Sequence, residues 1–308
     1  MTEESFVFAC PVCQSELATA GPDVLGCLAC DLSYPCVEGV WRMLPYDRLI
    51  TYQRFIREYE TIRRAEGRGS NAPSFYRSLP YEDVSERRSA EWAIRSRSFR
   101  VFLKKVVVPL EVRLRKRLRI LDLGAGNGWL SNRLAQRGHL LAAVDLLTNN
   151  FDGLGAHTYY QAQFTPIQAE FDHLPLVSGQ ADLIIFNASF HYSVDYIQTL
   201  MEALRVLSGT GQVIVLDTPI YRQAISGALM VQEREAQFQL SYGFPSNALP
   251  SQNFLTDDRL RQLGDVLGLS WRVVVLNYGL RWMVRPYIAR LRRQREPARF
   301  AILIGERS

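Results

Sequence analysis

Cysteine is scarce in this chain of 308 residues, long hydrophobic runs are missing, and no internal repeat stands out. There are five cysteines, and the amino-terminal residues are acidic and polar, so neither a signal peptide nor a transmembrane segment is visible. We therefore expect a cytoplasmic protein whose thiols stay reduced, rather than a secreted domain held together by disulfides. The hydrophobic fraction of 47% is ample for a core, and the length suits one small and one ordinary domain.

A glycine-rich turn is the strongest signal in the sequence. The apolar stretch 120–123 runs directly into Gly124, Gly126 and Gly128. Glycine suits such a turn because the backbone adopts dihedral angles closed to other residues and approaches a ligand closely. The amphipathic run 129–137 predicts a helix, and the apolar run 140–145 predicts a second buried strand. This order of elements predicts a cradle for a nucleotide cofactor, and therefore an enzyme.

Two carboxylates accompany the glycine turn. Asp145 ends the second predicted strand about 20 residues after the glycines, where a carboxylate accepts hydrogen bonds from a ribose diol. Asp122 stands two residues before Gly124, which gives the order Asp-x-Gly-x-Gly-x-Gly. A dinucleotide-binding site would instead prefer Gly-x-Gly-x-x-Gly.

This order resembles motif I of the class I methyltransferases that depend on S-adenosylmethionine (SAM). The resemblance extends over residues 118–307 and implies an α/β fold with a Rossmann-like, seven-stranded, mostly parallel sheet. It also implies SAM as cofactor, with its amino-acid end at Asp122 and the backbone of 124–128 and its ribose at Asp145. The SAM-binding residues that it implies are Asp122, Gly124, Ala125, Gly126, Asn127, Gly128, Asp145, Leu146, Glu170, Phe171, Asp172 and Asn187.

The adenine end of SAM is assigned by a second resemblance. The segment 167–176 is similar to the family segment in which an acidic residue meets the adenine amine before a Leu-Pro turn. Glu170 aligns best with that residue, and Asp172 is the second candidate. Phe171 could pack on the face of the purine.

The reaction edge is predicted at the end of the apolar run 181–187, which has the pattern of a central parallel strand. Open α/β sheets bind ligands at the carboxyl ends of their strands, where Asn187, His191 and Tyr192 stand. His191 could act as a general base because imidazole titrates near neutral pH, or it could simply pack at the rim. Tyr192 and Tyr221 are the other catalytic candidates. Arg222 could pair with an anionic group of the substrate or with Glu233.

The remaining predicted elements follow the family's order. They are a helix over 196–207, a fifth strand over 212–217, a capped helix over 256–267 and a closing pair of strands over 271–276 and 299–304. Between the amino-terminal part and the first strand, residues 47–117 are predicted to form a helical linker and a lid over cofactor and substrate. Tyr76, Tyr81, Trp92 and Arg95 are candidate lid residues, with ordinary packing as the alternative.

Residues 1–46 carry two Cys-x-x-Cys pairs separated by 13 residues. Two such pairs complete a closed four-sulfur site, so Cys10, Cys13, Cys27 and Cys30 are predicted to bind a structural Zn²⁺. The segment is too short for an apolar core of its own and is expected to fold with its metal. Its continuation, with Tyr34-Pro35 and Gly39-Val40, resembles the zinc-ribbon module found in or with several methyltransferases. Cys36 is interpreted as a spare thiol.

Positive charge is concentrated in two stretches. The net charge is +5, whereas 86–119 has 12 basic and three acidic residues, and 281–299 has seven arginines and one glutamate. Both stretches could hold RNA phosphates, although a solvated helix face is the commoner reason for such a pattern. The second stretch could also lie on an anionic membrane surface.

Three functions are compatible with these features. A SAM-dependent methyltransferase acting on a small molecule of quinone or natural-product type is favoured by the segment around His191. The alternative is a guanine methyltransferase of 23S ribosomal RNA, which the ribbon resembles in architecture. The least favoured interpretation is a scaffold that binds SAM or a partner without catalysis, because motif I, Asp145 and the acidic adenine segment are all intact.

Overall fold

The computed structural model of the chain describes residues 5–307 and begins with four short strands followed by helices. The strands are β1 (Ala18–Gly21), β2 (Val24–Cys27), β3 (Leu32–Val37) and β4 (Val40–Arg42). The helices are α1 (Tyr46–Ala65), α2 (Pro73–Ser78), α3 (Ser89–Phe102) and α4 (Val108–Leu114), with a π-helical turn over Leu103–Val107.

The second part of the chain alternates strands and helices. In order these are β5 (Arg119–Leu123), α5 (Trp129–Ala135), β6 (Leu140–Asp145), β7 (Thr165–Gln168), β8 (Ala181–Asn187), α6 (Tyr196–Val206) and β9 (Leu207–Leu216). They are followed by β10 (Ile220–Tyr221), α7 (Ala224–Tyr242), β11 (Leu255–Thr256), α8 (Asp257–Leu267), β12 (Leu269–Val275), α9 (Leu280–Met283), α10 (Arg285–Leu291) and β13 (Ala301–Arg307). Short 3₁₀ turns cover Leu154–Tyr159 and Phe190–Tyr192.

Seven of the strands form the sheet that the sequence predicts. Their order is β7-β6-β5-β8-β9-β13-β12. The first five are parallel, whereas β13 lies antiparallel to both β9 and β12. The Rossmann-like, mostly parallel α/β sheet with a closing antiparallel pair is therefore confirmed. Because these strands are parallel, the loops after β5, β6, β7 and β8 all leave the sheet at the same edge.

The ribbon strands continue this sheet, which the sequence did not predict. β4 pairs in parallel with β7, with Trp41 opposite Ile167. The sheet consequently runs through eleven strands. Met43, fully buried, belongs to the same hydrophobic core as Ile184 of the central strand. The ribbon thus shares the core of the large domain, and its packing does not depend on a metal alone.

Two element boundaries have local causes. Within the segment predicted as a helical linker, α3 begins at Ser89, because Asp83 accepts hydrogen bonds from the backbone N–H groups of Ser85 and Arg88 and holds a turn there. The helix predicted over 196–207 ends at Val206, because Leu207 already pairs with Ala181 as the first residue of β9.

None of the helices within residues 5–307 is both long and apolar enough to cross a membrane. The sheet is instead covered by two apolar clusters, one on each face. One contains Leu121, Ile184 and Leu200, and the other contains Ile120, Leu183 and Trp129. The alternation of adjacent residues such as Leu183 and Ile184 between clusters is expected for a strand buried on both sides.

Candidate functional site

A large cavity lies at the carboxyl edge of the parallel strands. Its empty volume, which includes part of its mouth, is about 1270 Å³. The floor comes from the loops that follow β5, β6, β7 and β8, and the cover comes from α1 and α3. Ligand sites of open α/β sheets occur at this position.

The glycine turn forms one wall of the cavity. Gly124, Gly126 and Gly128 have φ angles of +75°, +56° and +76°, a region that disfavours residues with a Cβ. A Cβ on Gly124 would lie 2.3 Å from Cβ of Ser189, whereas a Cβ on Gly126 would meet nothing closer than 3.7 Å. The turn therefore packs tightly against the protein on one side and leaves its middle open to a ligand.

Asp145 stands beside this turn at the end of β6, as predicted. Its carboxylate accepts hydrogen bonds of 2.8 Å from the N–H groups of Gly126 and Leu147. Burial raises its pKa to about 6 despite these bonds. The carboxylate lines the cavity with Leu146, so a diol placed here would find a fixed acceptor.

Asp122 lies behind the turn and does not line the cavity. It is buried, and its Oδ2 accepts a hydrogen bond of 2.8 Å from Oγ of Ser131. Its Oδ1 has no partner among residues 5–307, and burial raises its pKa to about 7. The Asp122 carboxylate is therefore bonded to α5 through Ser131 and does not line the cavity, where the sequence-based prediction had it touch the amino-acid end of SAM.

The wall expected to hold adenine contains Glu170, Phe171 and Asp172. Glu170 is already engaged: Nε of Arg48 and the hydroxyl of Tyr52 each donate to it at 2.7 Å. Burial opposes its ionisation, but these hydrogen bonds outweigh burial and lower its pKa.

Asp172 accepts a hydrogen bond from Oγ1 of Thr199, and burial raises its pKa. Both predicted acceptors therefore reach the cavity, each with a protein partner. The helix α1, which supplies Arg48 and Tyr52, is tied to the adenine wall through Glu170.

At the end of β8, Asn187 and Tyr192 line the cavity. The side-chain oxygen of Asn187 is buried without a hydrogen-bond partner in the described chain, which leaves an acceptor for a ligand. The ring of Tyr192 contacts Phe55 and Tyr59 of α1, at centroid distances of 6.0 and 5.8 Å. These three rings form an aromatic wall of the cavity.

Two catalytic candidates from the sequence do not line the cavity. His191 is buried behind Tyr192, and burial together with the charges of Arg234 and Arg95 lowers its pKa to about 3. A histidine with so low a pKa is a poor general base at neutral pH. Tyr221 is also buried away from the cavity, with its ring against Phe254 at 5.7 Å.

The lid candidates divide into two pairs. Trp92 and Arg95 line the cavity, with the guanidinium of Arg95 over the Trp92 ring. Tyr76 is instead a packing residue whose hydroxyl donates to the backbone oxygen of Phe151. Tyr81 is exposed, near Arg133, and lies outside the cavity.

Sequence reasoning missed the contribution of α1. This helix lines the cavity with Tyr52, Phe55, Tyr59 and Arg63, and Arg63 is paired with Asp152 beneath it. The spacing of three, four and four residues is that of one helix face, so the signal was present in the sequence. This spacing could not reveal which edge of the sheet the helix crosses.

The four cysteines of the two Cys-x-x-Cys pairs meet in the ribbon. The sulfur atoms of Cys10, Cys13, Cys27 and Cys30 lie within 4.8 Å of one another. Four sulfurs at the usual Zn–S distance of about 2.3 Å would be about 3.8 Å apart, so the cluster could close on one ion with little movement. The Tyr34 hydroxyl lies 3.3 Å from the Cys10 sulfur, and Cys36 lies outside the cluster.

Comparison with known proteins agrees with this architecture. Residues 121–215 match the family model described as a methyltransferase domain. An uncharacterized methyltransferase of Mycobacterium tuberculosis, and one of Mycobacterium bovis, are each 33% identical over 94 residues. This match covers 30% of the chain and 37% of the relative, so the chain spans little more than a third of the curated proteins it resembles.

Solved structures are similar at low sequence identity. One is a SAM-dependent methyltransferase of Thermotoga maritima, described as a possible histamine N-methyltransferase; it is 16% identical, with a TM-score of 0.45, over 84% of this chain and 99% of that one. Another is the plantazolicin methyltransferase, 15% identical, with a TM-score of 0.46, over 84% of this chain and all of that one. Residues 121–215 thus match a methyltransferase domain, and the strand order is that of the class I methyltransferase fold, whose sheet is here continued by an amino-terminal four-cysteine ribbon.

Proposed function

We propose that the protein transfers a methyl group from SAM to a small organic acceptor. The observation that carries this proposal is the single cavity that joins the glycine turn and Asp145 to the aromatic wall of Phe55, Tyr59 and Tyr192. A covered cavity with an acidic cofactor end and an aromatic far end suits a small acceptor placed beside a cofactor.

SAM would supply a methyl group made electrophilic by a sulfonium. The chain's own contribution is mainly positional, because the reaction requires a nucleophile aligned with that methyl group. Asp145 would accept from the ribose hydroxyls, Phe171 would contact the adenine, and Asn187 would face the reacting end through its unpaired oxygen. The cover of α1 and α3 would exclude bulk water from the site.

The RNA alternative loses four of the 12 basic residues in the first basic stretch to ion pairs within the fold. Arg88 and Arg95 are paired with Glu91, Arg113 with Glu306 and Lys116 with Asp182. Cations that are already neutralised within the fold release fewer counterions on binding phosphates.

The scaffold alternative differs from the proposed function in predicting no methyl transfer at all, even if SAM binds.

We further propose that the ribbon holds one structural Zn²⁺. The support is the meeting of four cysteine sulfurs, a donor set that zinc prefers and that leaves no open position for catalysis. Since β4 of the ribbon pairs with β7, the metal would also stabilise the edge of the cofactor-binding sheet.

Purified protein should contain about one zinc ion per chain. Replacing Cys27 with serine removes one of the four thiolates and should abolish most of the zinc content, measured by atomic emission, and lower the melting temperature. Cys36→Ser is the matched control, because Cys36 lies outside the cluster, and it should keep its zinc. Wild-type protein without zinc, or Cys27→Ser protein with a full complement, would contradict the proposal.

Asp145→Asn should weaken binding of S-adenosylhomocysteine (SAH) by about 10-fold or more, because the amide loses the charge that strengthens hydrogen bonds from the ribose. Wild-type affinity should also fall as the pH drops through about 6, since the carboxyl with the raised pKa then takes up a proton. The variant should lack this fall. Titration calorimetry at several pH values measures both effects, with the exposed Asp265→Asn as the control; equal affinities for wild type and Asp145→Asn would refute the role.

Incubation of the protein with methyl-tritiated SAM and fractionated cell extract should place label in the organic-soluble pool. Parallel samples treated with ribonuclease distinguish the alternatives. Ribonuclease-sensitive label would favour the RNA substrate, and SAH binding without label in any pool would favour a scaffold. An Asp145→Asn sample provides the background of each pool.

A further inference from the structure

The cavity opens into a second chamber on the side away from the glycine turn. The chamber has an empty volume of about 580 Å³ and shares Phe55, Tyr59 and Tyr192 with the main cavity. Its outer wall comes from α7, which contributes Arg234 and Phe238, and from the loop 246–253. This chamber is therefore on the acceptor side of the aromatic wall.

Arg234 differs from the other arginines of the cavity in having no ionic partner. Arg63 pairs with Asp152, and Arg68 pairs with Glu66 and Glu91. No carboxylate within residues 5–307 pairs with Arg234, and its buried Nε has no hydrogen-bond partner there. Its guanidinium lies 6.0 Å from the centroid of the Phe238 ring, on the same helix. A buried N–H donor without a partner, such as this Nε, is costly unless a ligand accepts its hydrogen bond.

The two chambers differ in the balance of their charged side chains. Four carboxylates and four arginines line the main cavity; these are Asp145, Asp152, Glu170, Asp172, Arg63, Arg68, Arg88 and Arg95. The second chamber is lined by Arg63, Arg68 and Arg234. Among the described residues that line it, Glu66 is the only carboxylate, and it is already paired with Arg68 and Arg88. The second chamber therefore carries a net positive charge, which favours an anionic ligand.

We propose that the acceptor is a flat, apolar molecule that carries an anionic group, such as a carboxylate, sulfonate or phosphate, bound by Arg234. This proposal rests on the proposed function and adds the acceptor's chemical class to it. The rings of Phe55, Tyr59, Tyr192 and Phe238 offer apolar faces to the body of the molecule. The planar guanidinium would bind the anionic group through paired hydrogen bonds and fix its distance from the methyl group.

Arg222, which the sequence suggested as an anion-binding residue, is not the residue that binds the anionic group in this proposal. Its side chain is exposed, and its backbone N–H donates to Glu296. Glu233, which the sequence offered as its partner, is paired with Arg295.

Two fluorescent probes with the same rings test the proposal. Anilinonaphthalene sulfonate (ANS) carries an anionic group, and N-phenylnaphthylamine (NPN) lacks it. With SAH bound to the protein, Arg234→Gln should weaken ANS binding by about 10-fold or more and change NPN binding little, because only ANS loses an ion pair. Arg234→Lys should recover part of the ANS affinity. Arg272→Gln, which removes an exposed arginine on β12 that pairs with no carboxylate within residues 5–307, is the control.

SAH affinity, measured on the same variants, separates the possible failures. Wild-type protein that binds no SAH would overturn the proposed function itself. Normal SAH binding with equal ANS affinities in wild type and Arg234→Gln would overturn only the anionic acceptor. Loss of SAH affinity in Arg234→Gln would also overturn it, because Arg234 would then bind the cofactor's own carboxylate.

A separate observation concerns the surface formed by α9 and α10. From residue 280 to residue 295 the chain has six arginines and no acidic residue. Of these, Arg295 is paired with Glu233, and no carboxylate within 5–307 pairs with the others. Large apolar side chains stand among them, with Leu280, Tyr287 and Leu291 exposed by 79%, 72% and 85%.

We propose that this surface binds the face of an anionic lipid bilayer. Apolar side chains that project between free arginines are the pattern of interfacial helices, whereas an RNA phosphate track would use the cations and leave Leu280 and Leu291 in water. Trp282, under the guanidinium of Arg285 at 4.0 Å, adds an amphipathic ring at the same level.

Flotation with vesicles tests the lipid surface. The protein should float with vesicles that contain phosphatidylglycerol, should not float with pure phosphatidylcholine, and should be released by salt. The double variant Tyr287→Ser with Leu291→Ser should lose binding, whereas Leu240→Ser, which removes an apolar side chain exposed by 84% on α7, should keep it. Absence of flotation at low salt, or full flotation of the double variant, would overturn the proposal.

Discussion

The parallel pairing of β4 with β7 is the contact on which the rest of the arrangement depends. Because the two strands run in the same direction, the chain leaves β4 at the carboxyl edge of the sheet. α1 begins four residues later, at Tyr46, and is therefore delivered directly across the cofactor-binding edge. The ion pair of Arg48 with Glu170 fixes the start of the helix on the adenine wall. The four-cysteine ribbon thus sets the position of the main cover of the cavity.

This placement joins the main cavity to a second chamber of different charge. The strand ends and their loops supply carboxylates, some with pKa values raised by burial, as for Asp145. The helices supply aromatic rings and arginines, and among the arginines that line the two chambers within residues 5–307, Arg234 is the one whose buried Nε has no hydrogen-bond partner. An anionic acceptor in the net-positive second chamber would be favoured there over a second molecule of the cationic cofactor.

Helix α7 links the second chamber to the surface formed by α9 and α10, since it carries Arg234 and its Glu233 pairs with Arg295 in the segment after α10. An acceptor with a flat apolar body and an anionic group partitions naturally at a bilayer surface. The proposals of an anionic acceptor and of a lipid-binding surface rest on different observations, but their chemistry is compatible.

The sequence by itself determined the sheet, the glycine turn, the position of Asp145 and the meeting of four cysteines. Each of these follows from local rules: a strand buried on both faces must be continuously apolar, as in 181–187, and Gly124 must be glycine because its φ is positive. The same rules placed Asn187 and Tyr192 at the reaction edge.

Only the tertiary structure decided which side chains reach the ligand. His191 and Tyr192 are neighbours in the 3₁₀ turn, yet one is buried behind the other, and no local pattern distinguishes them. Arg234 and the face of α1 lie far apart in sequence, and they meet because the ribbon is joined to the sheet through the long-range pairing of β4 with β7. The sequence gives no sign that the edges of β4 and β7 pair with each other. The helices that cover the cavity, and the charges that line it, could therefore be determined only from the folded chain.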